Sequence, residues 1–160
     1  MSINPYTKDE KRAWHNSLPA RPCAAAVVAV NEKGEMLVVK ASYKHYWSLP
    51  GGVVDESESP RAAAARELFE ETAIKLQEKD IQLAGVTYRQ PHDGHKDSVY
   101  FLFKASVDSS VAFKPDGEEI ETIEWLAPKE FRKRFTDYHT HLVLATKIAQ
   151  GHNSLLYEEG

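Results

Sequence analysis

Residues 23–30 (CAAAVVAV) form an unbroken apolar run, closed by the turn Asn31-Glu32-Lys33-Gly34. Residues 35–40 (EMLVVK) follow at once, so the two segments predict a buried hairpin. Three more β-prone runs lie downstream at 81–89 (IQLAGVTYR), 98–106 (SVYFLFKAS) and 120–126 (IETIEWL). Breaker-rich segments at 90–97 (QPHDGHKD) and 107–118 separate them. Two stretches change to helical spacing. Ser59 is a good N-cap, Pro60 suits the first helical position, and 61–72 is built of helix formers including four consecutive alanines. Residues 139–150 carry Leu142, Val143, Ala145, Ile148 and Ala149 on one side, and Gly151 stops them. Shorter helices are predicted at 7–17, with Trp14 as an anchor on the body, and at 128–134; the last residues are expected to fray. Neither a repeat nor a linker divides the chain, so one domain over 1–160 is expected, with its core at about 21–150. Hairpins with one central and one C-terminal helix make the fold class α+β.

Composition narrows the function classes. Apolar content of 42% and charged content of 28% are ordinary for a soluble globular domain, and 160 residues suffice for a real core. A net charge of −4 gives no reason to expect a membrane surface or a stable nucleic-acid partner. With Cys23 as the single cysteine, an internal disulfide and a cysteine-based zinc site are both excluded; its apolar surroundings predict a core residue. No apolar run is long enough to span a bilayer and the start is not a signal peptide, so a cytoplasmic, reducing setting is expected.

The chemistry gathers in residues 47–76 (WSLPGGVVDESESPRAAAARELFEETAIKL). On the helix, Glu67, Glu70 and Glu71 fall at i, i+3 and i+4, which places three carboxylates on one face. Like charges so spaced repel, and Arg66 offsets only part of the acid. Glu58 adds a carboxylate just upstream, while Leu68, Ala64 and Ala65 can cover a core. Such a cluster asks for a hard divalent cation, whose oxygen ligands are often shared with phosphates. A lone E-x-x-E-E would read better as a solvated acidic face.

The surrounding pattern changes that balance. From Gly52 through Glu58, Arg66-Glu67-Leu68 and Glu70-Glu71 to Ile74, the stretch resembles the Nudix box, G-x5-E-x7-R-E-U-x-E-E-x-G-U with U aliphatic. One fixed position departs: Ala73 stands where the family has a glycine at the helix end. The resemblance implies the Nudix fold, an α/β/α sandwich around a mixed sheet. It also implies hydrolysis of a nucleoside diphosphate linked to a further group, by water attack on phosphorus. Mg²⁺ is the implied cofactor, with Mn²⁺ able to substitute. Glu70 and Glu71 match the principal metal ligands, with Glu67 beside them and Gly51 contributing its carbonyl; taken alone, Gly51-Gly52 reads as a plain turn. Glu58 matches an outer-shell residue and Arg66 the arginine that holds the glutamates. In several relatives the general base is a glutamate on a loop before a late strand. Glu119, in GEEIETIEW, is the candidate here and is counted with the metal-facing carboxylates; Glu118 is its rival.

Substrate contacts are expected from Tyr43, Lys44 and Tyr46, just before the box, by stacking a base or pairing with phosphate; Trp47 reads equally well as core. Arg89 and His92, with His95 and Lys96, form a cationic loop able to reach phosphates. The expected partner is a small-molecule nucleotide: a (deoxy)nucleoside triphosphate, oxidised or not, or a nucleotide sugar such as ADP-ribose. Many relatives dimerise, which leaves a homodimer open. The competing reading is a catalytically silent Nudix-fold nucleotide sensor. Such domains usually lose box glutamates, and all are present here.

Overall fold

A computed structural model describes residues 6–91, 93–135, 140–152 and 155–159. The elements are α1 (Lys8–Ser17), β1 (Cys23–Val30), β2 (Met36–Ala41), β3 (Gly51–Val53), α2 (Pro60–Thr72), β4 (Gln82–Arg89), β5 (Ser98–Ser106), β6 (Ile120–Leu126), α3 (Phe131–Arg134), α4 (Thr140–Ala149) and β7 (Leu156–Glu159). The seven strands form one mixed sheet in the order β6-β2-β1-β5-β4-β7, with β3 paired to β1 beside that path. β1 runs parallel to β5 and β4 parallel to β7; the other pairs are antiparallel.

Alternation along the central strands divides the core into two layers. Ala25, Val27 and Ala29 of β1 point to one face, where Ala63, Ala64 and Leu68 of α2 cover them. Ala26, Val28 and Val30 point to the other, beneath Leu142, Leu144, Ala145 and Ile148 of α4. Strands buried on both faces read as continuous apolar runs, which is why CAAAVVAV shows no period of two. Helices on both faces make the α/β/α sandwich that the box implies. α4 comes close to β4: a Cβ added to Gly85 would stand 2.8 Å from Leu144 Cδ2.

Strand direction then places the site. The N-terminal end of β1, the N-terminal end of β5, the C-terminal end of β4, the C-terminal end of β2 and the start of β6 share one end of the sheet. β3 lies there too, pairing Val53 with Ala24, Gly52 with Ala25 and Gly51 with Ala26.

Several expectations are corrected. The double glycine belongs to a strand, since Gly51 and Gly52 pair with small alanines of β1 that let two backbones approach. Trp14 does not anchor the body: it is exposed, and α1 buries no residue although a capping box at Thr7 secures its start. The C-terminal segment does not fray away, because Leu156–Glu159 adds to the edge of β4 in parallel and Lys147 of α4 pairs with Glu158. Cys23 is only half-buried at the start of β1. The final helix begins at Thr140, and His139 lies outside the described residues. Among the described residues, no helix is long and apolar enough to cross a membrane.

Candidate active site

α2 is fastened at both ends. Ser59 accepts a hydrogen bond from the Ala62 N–H at 3.1 Å, and Pro60 occupies the first turn. At the other end, Ala73 is left-handed at φ 61°, ψ 8°, and its N–H reaches Phe69 O at 2.8 Å. The turn that glycine usually makes is therefore made by alanine.

Between these caps the acidic face is organised by Arg66. Its Nε and Nη2 each donate to Glu58 at 3.0 Å, and Nη1 donates to Glu67 at 2.8 Å and to Glu70 at 3.0 Å. Nη2 also reaches the Val53 carbonyl at 3.1 Å, which ties α2 to β3. One guanidinium thus hydrogen-bonds three carboxylates and lies 3.7 Å from a fourth, that of Asp55, so a single positive charge still offsets only part of the acid. The bonds from Glu58 foremost, then those from Glu67 and Glu70, hold the Arg66 proton more firmly than usual. In return Arg66 lowers the Glu58 carboxyl below its ordinary range.

Glu71 is turned inward and only 7% exposed. Its Oε2 accepts the Gly51 N–H at 2.9 Å. Burial pushes its carboxyl up to about 8, with Glu67 and Glu119 adding repulsion, while the Gly51 bond and Lys44 oppose the rise. Glu67 is raised as well, by burial first, with further repulsion from Glu70 and Glu119. Glu67 and Glu71 of α2 and Glu119 of the chain before β6 thus lie close enough to repel one another. Gly52 makes room for Glu67, since a Cβ there would lie 2.4 Å from its Oε1; a Cβ on Gly51 would instead meet β1, 2.4 Å from Ala25 O.

Glu119 arrives from the loop before β6. Asp116 Oδ1 accepts the N–H groups of Glu118, Glu119 and Ile120 at 3.0, 3.0 and 2.8 Å, and the Glu119 carbonyl accepts Ser42 N–H at 2.9 Å. The Tyr43 hydroxyl donates to the Glu119 carboxylate. That bond, before burial and charge, raises the phenol to about 12. Of the two candidate glutamates, Glu118 and Glu119, Glu119 is thus the one whose side chain is engaged beside the α2 carboxylates.

A scan against protein families matches a NUDIX domain model over residues 20–145. The chain belongs to the Nudix family. It is similar to a MutT-like protein of Streptomyces ambofaciens, 30% identical over 123 residues that cover 77% of this chain and 75% of the relative. A putative 8-oxo-dGTP diphosphatase of Bacillus subtilis is 35% identical over 104 residues, 65% of each chain. Among solved structures, the NUDIX domain of Shewanella oneidensis NrtR, complexed with ADP-ribose, superposes with a TM-score of 0.70 over 91% of this chain and 99% of that one, at 19% identity. The protein is accordingly a hydrolase acting on phosphorus anhydrides, and Nudix hydrolases generally use a divalent metal.

The Nudix donor set here fits such an ion in kind. Glu67, Glu70, Glu71 and Glu119 offer hard carboxylate oxygens, and Gly52 leaves space beside Glu67 that a Cβ would fill. As they stand, no three His, Cys, Asp or Glu side chains among the described residues are arranged to hold one. Glu58, Glu67 and Glu70 face Arg66 instead, and Glu71 faces the Gly51 amide.

The remaining predicted residues divide. Tyr43, Lys44 and Tyr46 lie on the loop after β2, close enough for Lys44 to act on Glu71 and Tyr46 on Tyr43. Lys44 Nζ stands 5.1 Å from the Tyr43 ring centre. Trp47 is core, under the Arg134 guanidinium at 5.1 Å. Arg89 ends β4, two strands from β1 at the same end of the sheet. His92 lies outside the described residues. Sequence reading did not single out Tyr100 of β5, whose half-buried ring stacks on His141 of α4 at 4.6 Å and 11°. Its phenol is raised by burial and then by Glu71 and Glu67, so it belongs to the same neighbourhood. Forty-one positions separate the two rings, and no local motif links them.

Proposed function

We propose that this chain cleaves the diphosphate of a nucleoside diphosphate linked to a further group, with Mg²⁺ held by Glu67, Glu70, Glu71 and the Gly51 carbonyl, and Mn²⁺ able to substitute. One observation carries the reading: the carboxylate face of α2 meets Glu119 above a glycine pair, with Tyr43, Lys44 and Tyr46 alongside. A bound divalent ion supplies Lewis-acid charge for the diphosphate oxygens and the attacking water. The protein's own groups do the rest. Glu119 accepts the proton of that water. Arg66 and Glu58 keep the α2 carboxylates in register, the Lys44 ammonium pairs with phosphate, and the Tyr43 and Tyr46 rings offer stacking surfaces for the base. No covalent intermediate is needed, because phosphoryl transfer rests on positioning and electrostatics.

The substrate we favour is a nucleoside triphosphate, with an oxidised purine first, in line with the MutT-like and 8-oxo-dGTP diphosphatase relatives. ADP-ribose stands second, supported by its complex with a domain of the same fold. The test is product release from common and oxidised dNTPs, ADP-ribose, dinucleoside polyphosphates and NADH, with Mg²⁺ or Mn²⁺. One substrate should stand well above the rest, and Glu70→Gln or Glu71→Gln should lower its turnover by orders of magnitude with the fold intact. A folded protein inert across the panel overturns the reading. Tight nucleotide binding without turnover replaces it with a sensor.

A further inference from the structure

The segment that ends β2 and the segment that opens β6 are stitched together around one acid. β2 and β6 pair with a register shift between Lys40 and Ala41, and such an irregularity re-aims the chain beyond it. Ser42 then bonds the Glu119 carbonyl through its N–H, and the Tyr43 hydroxyl bonds the Glu119 carboxylate. On the far side of Glu119, the Asp116 carboxylate gathers three successive N–H groups onto one oxygen. Backbone and side chain of Glu119 are therefore held separately, by Asp116 with Ser42 and by Tyr43. A glutamate on an otherwise exposed loop would sample several rotamers; a charged hydrogen bond to a hydroxyl selects one.

We infer that Tyr43 is a positioning residue, whose hydroxyl sets the Glu119 carboxylate against Glu67 and Glu71 before substrate arrives, with Asp116 setting the backbone beneath it. The inference rests on Glu119 being the base, as read above. It gives Tyr43 a role apart from stacking. The hydroxyl serves the rate and the ring, exposed at 61%, is left for substrate.

The experiment is a double-mutant cycle on kcat and KM with the best substrate of the panel. Tyr43→Phe keeps the ring and removes the hydroxyl. It should lower kcat about tenfold, the worth of one hydrogen bond to a charged group, and leave KM nearly unchanged. Tyr43→Ala should raise KM as well. Glu119→Gln should lower kcat at least ~10²-fold. The double variant Tyr43→Phe/Glu119→Gln should be no slower than Glu119→Gln alone, because the hydroxyl acts only through the carboxylate. Wild-type kcat in Tyr43→Phe, with Glu119→Gln impaired, overturns the inference and leaves the base intact. An equal loss from Tyr43→Phe in both backgrounds also overturns it, and assigns the hydroxyl to the substrate. Wild-type kcat in Glu119→Gln overturns the base assignment, and the role of Tyr43 falls with it.

Discussion

On α2, one guanidinium holds three carboxylates that all lie within eight positions of it in the chain. At the start of β6, a single carboxylate depends on a hydroxyl 76 residues away. The first arrangement is local. A helix repeats its neighbours every three or four residues, so the pattern of charges is itself the geometry. The second exists only once β2 and β6 have paired. The two sides also differ in energy. The α2 side gathers like charges into half-buried space, with Glu71 nearly closed off from solvent. The loop side holds one carboxylate through a neutral phenol, on a backbone fixed by the Ser42 N–H and the Asp116 carboxylate. Charge and pH should therefore govern the helix side, and a single hydroxyl the loop side.

The largest expected effect tests that division through stability. The Glu71 carboxyl moves from an ordinary 4.5 in the unfolded chain to about 8 in the fold. Between those values the folded protein binds the extra proton, so stability is full below about 4.5 and is lost as pH rises towards 8. Glu67, also raised, acts in the same direction. Glu58, Asp97, Asp108 and Asp116 are lowered, so their contributions are lost only as pH falls below the ordinary carboxylate range, outside this window. With a chelator present, the fold should lose on the order of a few kcal/mol of stability from pH 4.5 to 8, read as a falling melting temperature. Glu71→Gln should flatten the fall, and Mg²⁺ at pH 8 should reverse it in the wild type. A flat wild-type profile would mean that the inward carboxylate is not loaded as described.

Next in size is the loss of the organiser. Arg66→Ala leaves Glu58, Glu67 and Glu70 without their shared partner, and turnover should drop ~10²-fold from misplacement alone. Arg66→Lys should recover little, because an ammonium cannot reproduce a fork that bonds Glu58 through two nitrogens and Glu67 and Glu70 through a third. Near-wild-type turnover in Arg66→Lys would show that charge suffices and geometry does not matter. Either loss should exceed the tenfold effect expected of Tyr43→Phe on the loop side.

The same contrast explains what could be read from the chain before folding. The helix with its caps, its carboxylate face and Arg66 was legible because each feature lies within one or two turns of the next. The main strands were legible because apolar runs bounded by breakers define them. β3 was not, since two glycines signal a turn and only the alanines opposite them on β1 reveal a strand. β7 was not, because Leu156–Glu159 gains its pairing solely from the edge of β4. Trp14 looked like an anchor because a large apolar ring on a helix usually finds a body to cover, and α1 buries none. Glu119 could be proposed from its place before a late strand, but Tyr43 as its partner could not, and neither could the Tyr100–His141 stack.

The smallest effect sets the two sides against each other at their turns. α2 ends on Ala73 at φ 61°, whereas the loop carrying Glu119 turns on Gly117 at φ 81°. A left-handed residue with a Cβ costs ~1–2 kcal/mol, and glycine gives part of that back as extra freedom in the unfolded chain. Ala73→Gly should therefore stabilise the fold by ~0.5–1 kcal/mol, a rise of about 2–4 °C in melting temperature at the upper end for a domain of this size. A Cβ on Gly117 would meet nothing within 4 Å, so Gly117→Ala should cost a similar amount through the backbone alone. Equal and opposite shifts would locate the penalty in φ and ψ. A loss of stability in Ala73→Gly would mean instead that the Ala73 methyl contributes packing where α2 ends, beside the Thr72 hydroxyl that donates to Leu68 O and accepts the Ile74 N–H.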